Sequence, residues 1–110
     1  MVEFEFNRPV DVASLAAFFA RCGWEDPAAH VKLEWALAAS ADWVVCRLDG
    51  ELIGFGRTCR LDPMRRVVFD VVVDSRYKEG ALRGEIVRLL SAYAGRLEEV
   101  SVFSETNPFE

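Results

Sequence analysis

The chain opens on alternation. Val2, Phe4 and Phe6 are separated by Glu3 and Glu5, the pattern of a strand with one wet face, and Pro9 ends it. From Asp11 the spacing changes. Val12, Leu15, Ala16, Phe19 and Cys22 recur at helical intervals, and Gly23 supplies a stop. Asp26-Pro27 reads as an N-cap followed by proline at the first helical position. This predicts a second helix to about Ala39, with Val31, Trp35 and Ala38 on one face.

The pattern then turns to strands. Trp43 to Leu48 is one, Asp49-Gly50 is a hairpin turn, and Glu51 to Arg60 returns. Gly54 and Gly56 inside the returning strand indicate a bulge or the close approach of another group. Asp62-Pro63 marks a second turn. Arg65 to Val73 forms a third strand, nearly all apolar toward its end and therefore central. After Gly80, the residues Leu82, Ile86, Leu89, Leu90 and Tyr93 define an amphipathic helix, with Gly95 as its stop. Leu97 to Phe103 gives a last strand. The order β-α-α-β-β-β-α-β predicts an α/β (α+β) fold. It is a mixed sheet flanked by helices, with the last two strands parallel around a crossover helix.

Composition narrows the setting. At 110 residues and 52% hydrophobic, the chain predicts one domain, residues 1–110, with a real core. No uncharged run is long enough to span a membrane, and the N-terminus lacks the build of a signal peptide, so a cytoplasmic location is expected. Cys22, Cys46 and Cys59 are odd in number and widely spaced, which argues against a disulfide framework or a zinc site. His30 is the single histidine, so neither a histidine-based metal centre nor a Cys-His pair is expected. The net charge of −5 argues against nucleic acid as a partner. Against that acidic background, Arg57, Arg60, Arg65 and Arg66 fall close together, and Arg76, Lys78, Arg83 and Arg88 follow. They form either a solvated basic hairpin or a local attraction for an anion.

The segment from Asp70 to Gly84 carries the candidate chemistry. A strand runs through a short turn into a helix, which aims the free N–H groups of the helix start beyond the strand end. That arrangement suits a phosphate or pyrophosphate.

This order and these residues resemble the GNAT superfamily of acyl-CoA-dependent N-acetyltransferases over most of the chain, from the first strand to Phe103. The family's hairpin is matched by Trp43 to Leu48, Asp49-Gly50-Glu51, and Leu52-Ile53-Gly54-Phe55-Gly56-Arg57. Its next strand is matched by Asp70-Val71-Val72-Val73-Asp74, with Ser75 for Pro, Tyr77 retained, and Lys78 for Arg or Gln. Val100 to Phe103 resembles the following strand, and Asn107 an Asn that often comes after it. The paired glycines of the family's phosphate loop fall on Ala81 and Arg83. Arg83 either obstructs that loop or pairs with a phosphate. The family's final helix, with its Tyr, and its closing strands have no counterpart before Glu110.

The resemblance implies transfer of an acetyl group from acetyl-CoA to a primary amine on a small molecule or peptide. The pantetheine arm would lie along Val71, Val72 and Val73, with a backbone N–H there donating to the thioester oxygen. The N–H groups of Glu79, Gly80, Ala81, Leu82, Arg83 and Gly84 would hold the pyrophosphate, with Lys78, Arg83 and Asn107 assisting. Asp70 is the candidate to take the amine proton, directly or through water, unless it faces outward or pairs with one of the nearby arginines. Phe69, Trp35 and Phe55 either line an acceptor pocket or pack in the core. The open last strand implies a homodimer. The alternative is a GNAT-fold binding or interaction module without catalysis, an alternative that Arg83 raises.

Overall fold

The computed structural model describes residues 1–77, 79–92 and 99–102. Its elements are β1 (Val2–Phe6), α1 (Val12–Arg21), α2 (Ala29–Ala39), β2 (Asp42–Leu48), β3 (Glu51–Asp62), β4 (Arg65–Val73), α3 (Glu79–Ala92) and β5 (Glu99–Val102). This is the expected order. The five strands form one sheet in the order β1-β2-β3-β4-β5. The first three pairings are antiparallel, and β4 with β5 is parallel. The expected positions of Gly95, Tyr93, Leu97 and Phe103 lie outside the described residues.

Strand alternation divides the core between two faces. On one face Val45, Leu52, Phe55 and Val72 pack against Leu15, Phe18 and Phe19 of α1 and Leu33 of α2. On the other, Val44, Cys46, Ile53, Val68 and Val73 meet Ile86 and Leu90 of α3. The two glycines of β3 are explained by this second layer. A Cβ on Gly54 would stand 3.1 Å from Ile86 Cδ1, and one on Gly56 only 2.6 Å from Ile86 Cγ2. They let α3 settle close onto the sheet.

Local signals set the element ends. Asp11 caps α1 by accepting the Ser14 N–H at 3.2 Å, and Gly23 beyond its end has φ of 106°. At the β2–β3 hairpin both Asp49 and Gly50 have positive φ, 51° and 84°, as a two-residue type I′ turn requires. Asp62 accepts the Met64 N–H at 2.8 Å in the next turn.

The second helix departs from expectation twice. It begins at Ala29, because Asp26 instead closes the preceding turn, accepting the Ala28 N–H at 2.8 Å. Its buried face is also the opposite one. Leu33 is buried and Leu37 packs beside it, whereas Val31, Trp35 and Ala38 are exposed.

Candidate functional site

The functional segment starts with a break in the strand ladder. Phe55 pairs with Val72 and Arg57 with Phe69, so two steps along β3 match three along β4. This is a β-bulge, and Asp70 takes it up with φ of +51°. A left-handed backbone at a residue other than glycine costs roughly 1–2 kcal/mol, and Asp is among the few types that adopt it readily. The extra residue changes which face each later side chain meets. Val68 lies on the α3 face, but Val72, four residues on, lies under α1 and α2.

Arg57 sits opposite the bulge. Its Nε–H donates to Asp70 Oδ2 at 2.7 Å. Its Nη1 donates to Ala36 O at 3.3 Å, to Ser40 Oγ at 3.4 Å and to Cys59 Sγ at 3.0 Å. The guanidinium lies 5.5 Å from the centre of the Phe69 ring. Of the alternatives for Asp70, pairing with a nearby arginine is therefore the arrangement present.

The parallel pairing with β5 runs from Arg65↔Glu99 to Val68↔Val102 and goes no further among the described residues. Along Val71–Val73 the side chains are committed to the two cores, Val72 to one and Val71 and Val73 to the other. What this edge can offer a ligand is backbone N–H and C=O.

A tight turn carries the chain from this edge to α3. Asp74 N–H donates to Ile53 O at 2.9 Å, tying the strand end to β3, and Tyr77 N–H donates to Asp74 O at 3.1 Å. The buried Asp74 carboxylate accepts the Arg76 N–H at 3.0 Å and the Arg76 guanidinium at 2.7 Å. Those hydrogen bonds hold its carboxyl below the usual carboxylate range. Arg76 also pairs with Glu51 across the hairpin. Sequence reasoning passed over Asp74 as a working residue. The signal was an Asp two residues before an Arg at a strand end, the spacing of an Asx turn.

The helix start is exposed. Gly80, Ala81, Arg83 and Gly84 face solvent, and Leu82 is half-buried. A Cβ on Gly80 or Gly84 would meet nothing within 4 Å. A helix leaves the N–H groups of its first turn outside its own ladder, and in α3 that turn begins at Glu79. Arg83 and Gly84 fall in the second turn. Lys78 and Asn107 lie outside the described residues.

Other expectations resolve separately. Phe55 is core, Phe69 is half-buried under Arg57, and Trp35 stands 76% exposed on α2, so the three do not converge on a pocket. An open apolar groove lies elsewhere, between Val2 and Phe4 of the outer strand and Tyr77, Ala81 and Leu82. The three cysteines are free, and burial pushes the Cys46 thiol up to about 12. Among the described residues no helix is long and apolar enough to cross a membrane.

No family model matches the sequence, and no curated protein resembles it at the sequence level. Solved structures do resemble the fold. A GNAT-family acetyltransferase from Streptococcus pneumoniae superposes with a TM-score of 0.79 at 16% identity, over 98% of this chain and 79% of that one. A ribosomal-protein-alanine N-acetyltransferase from Brucella melitensis gives 0.75 at 18% identity, over 98% and 83%. The chain has the GNAT acetyltransferase fold. A GNAT-family N-acetyltransferase from Escherichia coli, solved in complex with CoA, also matches, with a TM-score of 0.64 at 17% identity over 84% of this chain and 57% of that one. The GNAT resemblance read from the hairpin and from Asp70 to Tyr77 thus agrees with the architecture.

Proposed function

We propose that this protein is an N-acetyltransferase that uses acetyl-CoA to acetylate a primary amine. The observation that carries this reading is the bulged end of β4. Among the described residues, β4 is paired on both sides through Val68, breaks register at Asp70 and leads into an exposed helix start. An extended ligand with a phosphate at one end suits such an arrangement.

The residues present fit that ligand. Val71 and Val73 turn their N–H groups away from β3 with no side chain in the way, whereas Val72 N–H faces β3, and Gly80 leaves the first turn of α3 uncovered. Acetyl-CoA would supply an activated acyl group. The work left to this chain is orientation, charge and proton removal. The Val73 N–H, or that of Val71, would donate to the thioester oxygen, where negative charge develops. The first turn of α3 would hold the pyrophosphate, with Lys78, Arg83 and Asn107 adding donors or charge. The attacking amine, with an ordinary pKa near ~10, must give up a proton, and Asp70, although its Oδ2 is held by Arg57, is the charged group at the bulge proposed to assist that step through water.

This reading includes a cytoplasmic protein that acts on a small-molecule or peptide amine, without nucleic acid or membrane. It includes a homodimer, for which the exposed Val31 and Trp35 on one face of α2 supply apolar surface. A second reading, a GNAT-fold binding module without catalysis, rests on Arg83. Its exposed side chain stands where the family's second loop glycine does.

Thermal unfolding with acetyl-CoA separates the two. At ~100 times the dissociation constant the ligand should add about 2.7 kcal/mol of stability. No shift at millimolar acetyl-CoA would contradict the acetyltransferase reading. Given binding, Arg83→Gly reports the side chain's role, with tighter binding meaning obstruction and weaker binding meaning a phosphate contact. An unchanged rate in Asp70→Asn would remove Asp70 from proton transfer.

A further inference from the structure

We propose that Arg57 is a positioning residue. It clamps the left-handed bulge at Asp70 to the C-terminal end of α2, and so sets which way the Val71–Val73 backbone faces. This deepens the acyl-CoA reading and rests on it for its consequence, though not for its geometry.

Three observations converge. The register of β3 and β4 slips between Phe55 and Arg57, so Arg57 is the last β3 residue in step before the slip. Asp70, the bulged residue, has φ of +51° and gives its Oδ2 to Arg57 Nε. The arginine is the fixed partner of the pair, its side chain 15% exposed against 48% for the aspartate. What fixes it comes from another element. Ala36 O and Ser40 Oγ, at the end of α2, accept from Nη1, and Ser40 Oγ–H itself donates to Ala36 O at 2.6 Å. A guanidinium placed there also meets the negative end of the helix dipole. Phe69 beneath and Cys59 beside it complete the enclosure. A planar guanidinium can hold the strand and the helix at once through different nitrogens, which a lysine ammonium does less well.

The consequence is conformational. A strand without the bulge would continue in the parity set by Val68, turning Val72 to the α3 face and reversing which N–H groups face away from β3. With the bulge held, Asp74 N–H and, in the same register, Val72 N–H point to β3, so Val71 and Val73 N–H are turned to the other side before any ligand arrives. Removing the clamp should lower the fraction of molecules in this open presentation, and apparent ligand affinity falls with that fraction.

The test uses the full chain and four variants, read two ways. The first reading is the HN–Hα coupling at residue 70 together with amide exchange at Val71–Val73, with no ligand. The second is acetyl-CoA affinity by calorimetry. Arg57→Met should lose the left-handed signature at residue 70 and bind acetyl-CoA about ten-fold more weakly, as expected if the open fraction falls to a tenth. Asp70→Gly and Asp70→Val both delete the clamped carboxylate, but only glycine tolerates positive φ without strain. Asp70→Gly should therefore bind within about two-fold of the parent, and Asp70→Val should bind as weakly as Arg57→Met. Adding Asp70→Gly to Arg57→Met should restore binding. If Arg57→Met does not fold, the glycine–valine contrast alone decides. Equal affinity in those two variants, or an unchanged residue 70 in Arg57→Met, would overturn the clamp. Failure of the parent to bind acetyl-CoA while residue 70 responds as stated would overturn the acetyltransferase reading and leave the clamp standing.

Discussion

The two ends of β4 are built from the same kinds of residue and do opposite things. At the closed end, Arg65–Val68 pairs on both sides, and Arg66, 4% exposed, reaches Asp42 in an ion pair inside the α3 layer. At the open end, another arginine–aspartate pair, Arg57 with Asp70, sits at a bulge past the last β5 pairing among the described residues. The first pair reaches across β3 to β2, beside a second irregularity of the β3–β4 register between Arg60 and Asp62. The second closes on the bulged residue itself. The backbone at the aspartate distinguishes them, extended strand at Asp42 and left-handed at Asp70.

The comparison can be broken most forcefully at the closed end. Asp42→Ala removes the carboxylate that the buried Arg66 reaches, and up to about 3–5 kcal/mol of stability should be lost in urea unfolding. A loss below ~1 kcal/mol would mean that the closed end does not depend on its pair. Next in size is Gly56→Val. Its Cβ would collide with Ile86, so a loss of about 1–3 kcal/mol is expected by the same measurement. Gly80→Ala is the matching change at the exposed helix start. Alanine has open space there, so stability should hold or rise by up to ~1 kcal/mol, while acetyl-CoA affinity falls if the bare backbone is a cradle.

A pH measurement sharpens the turn that joins the open edge to α3. The Asp74 carboxyl is held below its ordinary value by Arg76, so the folded state binds that proton less readily than the unfolded one. Its contribution is present above the ordinary carboxylate pKa and is lost as pH falls below it. Asp74→Asn should lower stability at neutral pH and flatten the decline in stability under acid. An identical acid profile in parent and variant would contradict the role given to Asp74. The smallest effect is chemical. With its thiol pushed up to about 12 by burial, Cys46 should react with a thiol reagent at pH 8 only on unfolding, after Cys22 and Cys59.

Much of the fold was legible because local chemistry and the core agree. The Asp49-Gly50 turn and the Ile86–Leu90 stripe each have one reading, and the structure follows it. The face of α2 was not legible. Val31, Trp35 and Ala38 share its circumference with Leu33 and Leu37, so periodicity alone does not choose between them. Only the partner surface on α1 and β3 decides. The bulge was hidden for a related reason. In Val71-Val72-Val73 every residue is apolar, so a change of parity leaves no trace in the hydrophobic pattern. Arg57 and Asp70 stood out as charged residues, but their joint role depends on a backbone angle that spacing does not encode. At the helix start the small residues were visible, whereas the division of Glu79–Gly84 between free first-turn donors and the helix's own ladder required the observed start of α3.

The central claim is that the open end of β4 and the start of α3 form one acyl-CoA site. Residue-resolved amide exchange with and without acetyl-CoA tests it most directly. Slowed exchange is expected at Val71 and Val73 and at Glu79–Ala81, with Arg65–Val68 unchanged because that stretch is already paired on both sides. Unchanged exchange at Val71 and Val73 under saturating ligand, or protection confined to the groove beside Val2 and Phe4, would contradict it.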